Sequence, residues 1–222
     1  MHLSDVMAFF KPHKTVPITP WRAEHRWQLS PSRVGILFFG LAIFGLGDSL
    51  LVQGNVGNAP WTVFSQGLTL KTGMSIGWAT FVISVFVLLI WIPLNEKPGF
   101  GTLSNIVLIA TFIEVGTHIF PKQNTTLSGI LFSLIGIAMV GLGSALYITC
   151  GLGPGPRDGA MTGLHQRTGV RVGRVRLGLE VVVSIAGAVL GGTLGLGTLL
   201  FALLIGQSVA ISFGLLARLT SK

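Results

Sequence analysis

Sliding the sequence against itself by 96 residues, without a gap, lays its first half on its second. Gly40 falls on Gly136, Gly45-Leu46-Gly47 on Gly141-Leu142-Gly143, Leu50 on Leu146, Gly57 on Gly153 and Pro60 on Pro156. The register then runs on unbroken. Gly67-Leu68 meets Gly163-Leu164, Thr72-Gly73 meets Thr168-Gly169, Gly77 meets Gly173, and Gly99-x-Gly101-Thr102-Leu103 meets Gly195-x-Gly197-Thr198-Leu199. Two apolar stretches match in Leu, Val and Gly by composition alone, but the paired prolines and the GxGTL motif are not composition effects. Whatever one half folds into, the other must fold into as well.

Half of the 222 residues are hydrophobic and only 10% are charged, with 31 glycines and a mean hydropathy of +0.75. No soluble domain of this length has that composition. Apolar runs of roughly 20 residues cross about 30 Å of hydrocarbon. They occur at Val34–Val52, Ile76–Leu94, Leu103–Phe120, Leu127–Ile148, Val175–Leu194 and Thr198–Ala217. Each half thus holds one span, a loop with a short apolar piece, and two more spans joined by a glycine-rich turn. Three crossings is an odd number, so the second copy must enter the membrane upside down. The expected fold is all-α: a polytopic helical membrane protein with six transmembrane helices and two short re-entrant half-helix loops in an inverted 3+3 repeat. Its parts are an N-terminal tail over 1–32, a first membrane repeat over 33–121 and a second, inverted one over 127–218.

The basic residues test that count, because cytoplasmic loops collect them. Lys11, Lys14, Arg22, Arg26 and Arg33 precede the first span. Lys97 lies in the second cytoplasmic segment, Arg157, Arg167, Arg171, Arg174 and Arg176 in the third, and Arg218 and Lys222 at the C-terminus. The opposite side has only Lys71 and Lys122. Six spans with both termini cytoplasmic follow. The tail contains Pro12, Pro17, Pro20 and Pro31 among its charges, which argues against a cleaved secretory signal. It offers nothing to bury a core, and Trp21 and Trp27 could hold it to a membrane surface. The formal charge of +8 reads as membrane orientation and contact with anionic lipid rather than nucleic-acid binding. The single cysteine, Cys150, excludes an intrachain disulfide and supplies no metal cluster.

Two loops at equivalent positions, 54–73 and 151–172, break the apolar pattern. Glycines there permit tight or left-handed backbone, and Pro60 and Pro156 suit the first turn of a short helix, where no hydrogen-bond donor is lost. Such a half-helix aims free N–H groups and a positive dipole end at the place where its loop dips, which favours anions. Non-helical backbone at membrane depth survives only beside protein or water, so a symmetric pair of such loops points to a central cavity. Asn58 and Pro60 belong to the first loop, Arg157 and Asp158 to the second.

Asp48, Glu114 and Glu180 fall inside expected spans, where an ionisable group marks a functional site by default. Their repeat partners are Ser144, Ala210 and Ser84, so the charges break the symmetry of the scaffold. Asp48 has no cation near it in sequence and is the first candidate for a proton or cation site, against a plain helix-packing hydrogen bond. Glu114 precedes His118 by one turn, giving a second candidate proton-coupling pair or an interface pair. Glu180 follows Arg176 by one turn and serves equally as a structural ion pair. Arg157 could hold an acidic group of a substrate. The candidate substrate or ion-binding residues are therefore Asp48, Asn58, Pro60, Arg157, Asp158 and Glu180. His165 reads as a surface residue, and Trp61, Trp78 and Trp91 as interfacial anchors. No hydrolase elbow, zinc motif, P-loop or dinucleotide fingerprint stands in a suitable context. Neither catalytic residues nor a cofactor nor a metal site is expected, and the chain does not read as an enzyme.

The run Gly-Leu-Gly-Pro-Gly-Pro-Arg-Asp-Gly at 151–159, echoed by Gly-Asn-Ala-Pro-Trp-Thr at 57–62, resembles the bacterial membrane proteins grouped as YczE/YyaS/YitT. The resemblance covers roughly residues 33–217 and implies a multi-span protein of the bacterial inner membrane. It brings no substrate or catalytic residue with it. The leading functional expectation is a small secondary transporter or exporter of a small polar or anionic metabolite, working by alternating access between the halves. A passive channel with paired half-helices, or a membrane scaffold without transport, are the alternatives. The expected partners are the lipid bilayer and a small solute, with homo-oligomerisation left open.

Overall fold

The computed structural model describes residues 15–220, apart from the side chain of Val172; Lys11, Pro12, Lys14 and Lys222 lie outside the described residues. Among these residues the protein is all helix. Its elements are α1 (Pro31–Gly54), α2 (Pro60–Thr72), α3 (Ile76–Leu94), α4 (Phe100–Ile119), α5 (Thr126–Thr149), α6 (Pro156–Thr168), α7 (Val172–Val189) and α8 (Leu196–Thr220). The starts of α6, α7 and α8 repeat those of α2, α3 and α4 at the offset that carries Pro60 onto Pro156. Both short helices have 13 residues, proline in the first turn and a left-handed glycine cap, Gly73 and Gly169. Those two glycines adopt φ of 73° and 71°, a conformation that other side chains resist.

Five helices, α1, α3, α4, α5 and α8, are long and apolar enough to cross a membrane. The remaining long helix, α7, has 18 residues but carries Arg174, Arg176 and Glu180, too many charges to count by composition alone. It also stops short of the expected Leu194, because Leu190 ends it and Gly191 turns the chain at φ 102°. Large apolar side chains such as Phe39, Phe86, Ile92 and Leu203 face outward, while Thr62, Ser65, Thr80, Asn105 and Ser133 are buried. That distribution suits a protein whose solvent is lipid, with helices joined by small residues and internal hydrogen bonds.

The halves interlock. Glycines at every seventh position of α1 meet glycines at every seventh position of α5. Gly40 lies on Gly143, Gly47 on Gly136 and Gly54 on Gly129, so the two equivalent helices pack antiparallel. A Cβ at Gly143 or Gly136 would stand 2.5 Å from the carbonyl oxygen of Gly40 or Gly47, which leaves room for nothing but glycine. Beyond this crossing, α2 packs on α7 and α3 on α6, each pair joining opposite halves, whereas α1–α4 and α5–α8 pack within a half. Backbone hydrogen bonds follow the same exchange. The N–H of Gly197 donates to the Val56 carbonyl at 2.8 Å, and that of Gly101 donates to the Leu152 carbonyl at 2.8 Å. These two bonds are one bond written twice, with the halves swapped.

Two expectations need correction. Residues 15–30 do bury surface: Thr19 and Ala23 are buried and Ala23 joins the core around Leu37, Ile113 and Cys150. This segment is held as a strap across the α5–α6 loop and the start of α4. Ala23 N–H donates to Cys150 O at 2.9 Å, Trp21 Nε1 to Thr149 Oγ1 at 3.2 Å and Phe100 N–H to Arg26 O at 3.1 Å. Nor are Trp61 and Trp91 interfacial, being 8% and 1% exposed against 64% for Trp78. Trp91 fits inside because its neighbour on α6 is Gly159, which has no side chain to displace it.

Candidate functional site

Beside the α1–α5 seam, at Phe44 and Val140, lies a cavity of about 330 Å³, at the small end of the roughly 300–1,000 Å³ typical of ligand sites. Its walls come from both halves at equivalent positions. Phe44 and Val140, Pro60 and Pro156, Trp61 and Arg157, Ser84 and Glu180, and Ile109 and Ile205 all line it. The first turns of α2 and α6 therefore open onto one space, and their earliest N–H groups have no acceptor within their own helix.

The polar wall is supplied mostly by the second half. Asp158 Oδ2 accepts a hydrogen bond from the Tyr147 hydroxyl at 2.5 Å. Glu180 accepts from Arg176 Nε at 2.8 Å, the one-turn ion pair that the sequence spacing allows. Arg157 lies over the Trp61 ring, 5.1 Å from its centroid, and feels the carboxylates of Asp48, Asp158 and Glu180. No carboxylate or carbonyl among the described residues comes within hydrogen-bonding distance of its guanidinium. The Trp61 indole N–H is likewise buried without an acceptor.

Pro60, Arg157, Asp158 and Glu180 thus come together on the cavity wall. Asp48 stands just behind it, 2% exposed, with both carboxylate oxygens taking the Thr62 hydroxyl at 3.0 and 2.9 Å. The other candidates lie elsewhere. Asn58 Nδ2 donates to Gln66 Oε1 at 2.8 Å, and the same oxygen accepts from Thr193 N–H at 2.7 Å; this polar cluster ties the first loop to the turn that precedes the last helix. Glu114 accepts from Gly77 N–H at 2.8 Å and stands 3.9 Å from His118. That carboxylate caps the N-terminus of α3, away from the cavity. His165 is held at the surface by Val170 O. Among the described residues no group of three or more His, Cys, Asp or Glu is placed to hold a metal.

Reading along the chain overlooked Trp61, Tyr147, Ser84, Ser144, Asn105 and Arg176 as cavity residues. The repeat carried a usable signal for three of them: Trp61, Ser84 and Ser144 are the counterparts of Arg157, Glu180 and Asp48. Tyr147 had only its rarity, as the sole tyrosine of the chain.

Residues 31–213 match a family model described as a family of unknown function, DUF6198. An uncharacterized protein of Haemophilus influenzae is 45% identical over 93% of this chain and 94% of its own length. The uncharacterized membrane protein YczE of Bacillus subtilis is 34% identical, with 79% of this chain and 82% of that one covered. The uncharacterized protein YyaS of the same organism is 29% identical over 81% of this chain and 91% of its own. No solved structure matches. With five apolar helices, a relative named as a membrane protein and a match over most of its length, the chain belongs to the DUF6198 family and is a helical membrane protein of the YczE and YyaS kind.

Proposed function

We propose that this protein is a small secondary transporter of the bacterial inner membrane, built as an inverted 3+3 repeat of six crossings with both termini cytoplasmic. The observation that carries the reading is the cavity, lined at equivalent positions by two halves whose matching helices pack antiparallel. In transporters of this architecture the substrate sits at the midplane between repeats, and broken helices point their N-termini at it. The sixth crossing is α7, whose Arg176 and Glu180 neutralise each other at the cavity rather than facing lipid. The helices α2 and α6 are re-entrant half-helices in this reading, since 13 residues cannot span.

Alternating access has a structural basis in the duplicated bonds. In this reading one access route is gated at the bond between Gly197 and Val56 and the other at its copy between Gly101 and Leu152, both of which are backbone hydrogen bonds. Rocking the halves about the glycine seam breaks one and keeps the other. Asp48 is the proton-coupling group in this reading, since among the described residues the hydroxyl that donates to it belongs to Thr62, in the first turn of α2.

Counterflow in proteoliposomes tests the proposal. Unlabelled substrate loaded inside should accelerate entry of labelled substrate, and Asp48→Asn should retain exchange while losing accumulation driven by a pH gradient. Flux that shows no acceleration by internal substrate would make the protein a passive channel. Complete absence of flux over a broad metabolite set would leave a scaffold.

A further inference from the structure

One pair of helices escapes the symmetry that the others keep. In the first half α3 packs on α4, whereas their copies α7 and α8 do not pack on each other. The glycines record the difference. A Cβ at Gly77 of α3 would stand 2.7 Å from the Ala110 carbonyl oxygen and 2.7 Å from Glu114 Cβ, both on α4. At the equivalent Gly173 of α7, and at Gly206 of α8, a Cβ would meet nothing within 4 Å. The cavity runs into this gap: Gly206 and Ala210 line it, while their copies Ala110 and Glu114 do not. Its other edge is the ion pair of Arg176 with Glu180. The Arg176 side chain is 44% exposed, whereas its copy, Thr80, is buried. Gln207, beside Gly206, is exposed as well. An ion pair and an amide at this depth call for water rather than hydrocarbon.

We propose that the gap between α7 and α8 is a water-filled side entrance to the cavity, and that Glu114 holds its copy, the α3–α4 contact, shut. This rests on reading the cavity as the transport site. In the orientation proposed above, the turn after α7 joins it to α8 on the outer side, so the gap faces the cytoplasm and the α3–α4 contact faces outward. The end bonds Gly197–Val56 and Gly101–Leu152 are both made while the gap is open, so this entrance is additional to the routes gated there. Glu114 is a positioning residue. Its carboxylate accepts the Gly77 N–H at 2.8 Å, one of the donors that the first turn of a helix leaves free, and so ties the start of α3 to α4. Ala210 has no side-chain oxygen to offer Gly173 in the same way. Each pair otherwise sets a glycine opposite a small residue, Gly77 against Ala110 and Gly173 against Gly206, so each can take the arrangement seen in the other. When α7 closes on α8 and α3 parts from α4, the entrance turns to the other side of the membrane.

The test is labelling of introduced cysteines in the full-length protein in proteoliposomes, with a membrane-impermeant maleimide added to one side at a time. Native Cys150 is buried. Gly206→Cys and Ala110→Cys place the same group at equivalent points of the two pairs. Gly206→Cys should react from the cytoplasmic side at least tenfold faster than Ala110→Cys from the outer side. Glu114→Ala, which copies Ala210, should raise outer labelling of Ala110→Cys about fivefold or more. Ala210→Glu, which copies the latch, should slow cytoplasmic labelling of Gly206→Cys to a similar degree. A Glu114 that merely caps a helix would lower the Tm when removed and leave both labelling rates where they were. Gly173→Cys and Ala210→Cys together, apart in this structure, should cross-link on oxidation and stop the counterflow of any solute that shows it, until reduced. Equal labelling of the two reporters, a Gly206→Cys left unlabelled as in a gap filled by lipid, rates indifferent to both Glu114→Ala and Ala210→Glu, or no cross-link would each overturn the proposal. The expected labelling without counterflow of any solute would remove transport and leave the entrance standing. Counterflow undiminished by the cross-link would keep transport and remove the entrance.

Discussion

The junctions α1–α2 and α5–α6 occupy equivalent places and are built from opposite chemistry. In the first, the long helix supplies the carboxylate, Asp48, and the short helix the hydroxyl, Thr62. In the second, the short helix supplies the carboxylate, Asp158, and the long helix the hydroxyl, Tyr147. Packing is swapped in the same way. The α2 backbone at Val63 and Phe64 lies against Gly187 of α7, while the Trp91 ring of α3 lies against Gly159 of α6, so the glycine has changed sides. Backbone contacts set the architecture and were kept in both copies. Side chains could diverge, provided that each buried carboxylate kept a donor and the large Trp91 ring a gap opposite.

The swap can be broken most forcefully at its bulkiest point. Gly159→Val copies the residue found at the equivalent position, Val63, but drives it into the Trp91 ring. The expected cost is about 3 kcal/mol, read as loss of folded protein in a detergent melt, and Trp91→Ala should restore most of it. Failure of that rescue would show that Gly159 is kept for its backbone and not for the space. Next come the hydroxyls. Thr62→Val strands the buried Asp48 and should cost about 2–3 kcal/mol. Tyr147→Phe should cost only about 1 kcal/mol, because Asp158 faces the cavity and can find another donor there; equal losses would erase the distinction between the junctions. Smaller again is Glu180→Gln, about 0.5 kcal/mol for a one-turn ion pair, whereas the equivalent Ser84→Ala should be silent in the melt. The smallest effect concerns Cys150. Burial pushes its thiol up to about 12, so at neutral pH it holds almost no thiolate, and the wild-type protein should not react with maleimide until it is unfolded. The wild-type chain is then a clean background for labelling introduced cysteines in residues 54–73 and 151–172.

Most of the architecture was legible because it is written in backbone-specific residues. Pro60 and Pro156 start their helices as read, and the glycine matches mark the crossings that glycine alone permits. What stayed hidden depends on contacts between halves. Trp91 looks like an interfacial anchor until Gly159 is seen beside it, and Trp61 until Arg157 is seen over it. Glu114 was legible only as half of an interface pair or a proton couple with His118, and its bond from Gly77 N–H needed the third dimension. Residues 15–30 lacked an apolar run, yet backbone hydrogen bonds to Cys150 and Phe100 hold them in place, and no hydropathy pattern records such bonds.

The paired bonds Gly197–Val56 and Gly101–Leu152 also bear on how such a chain arises. A set of contacts that maps onto itself when the halves are exchanged is the set that two separate copies of one half would make as a twofold dimer. The covalent link contributes only a short connection between Ile119 and Thr126. Cutting the gene there and expressing the pieces together should yield an assembled pair, whose descent from a self-associating ancestor of half the length would still be readable in its glycines.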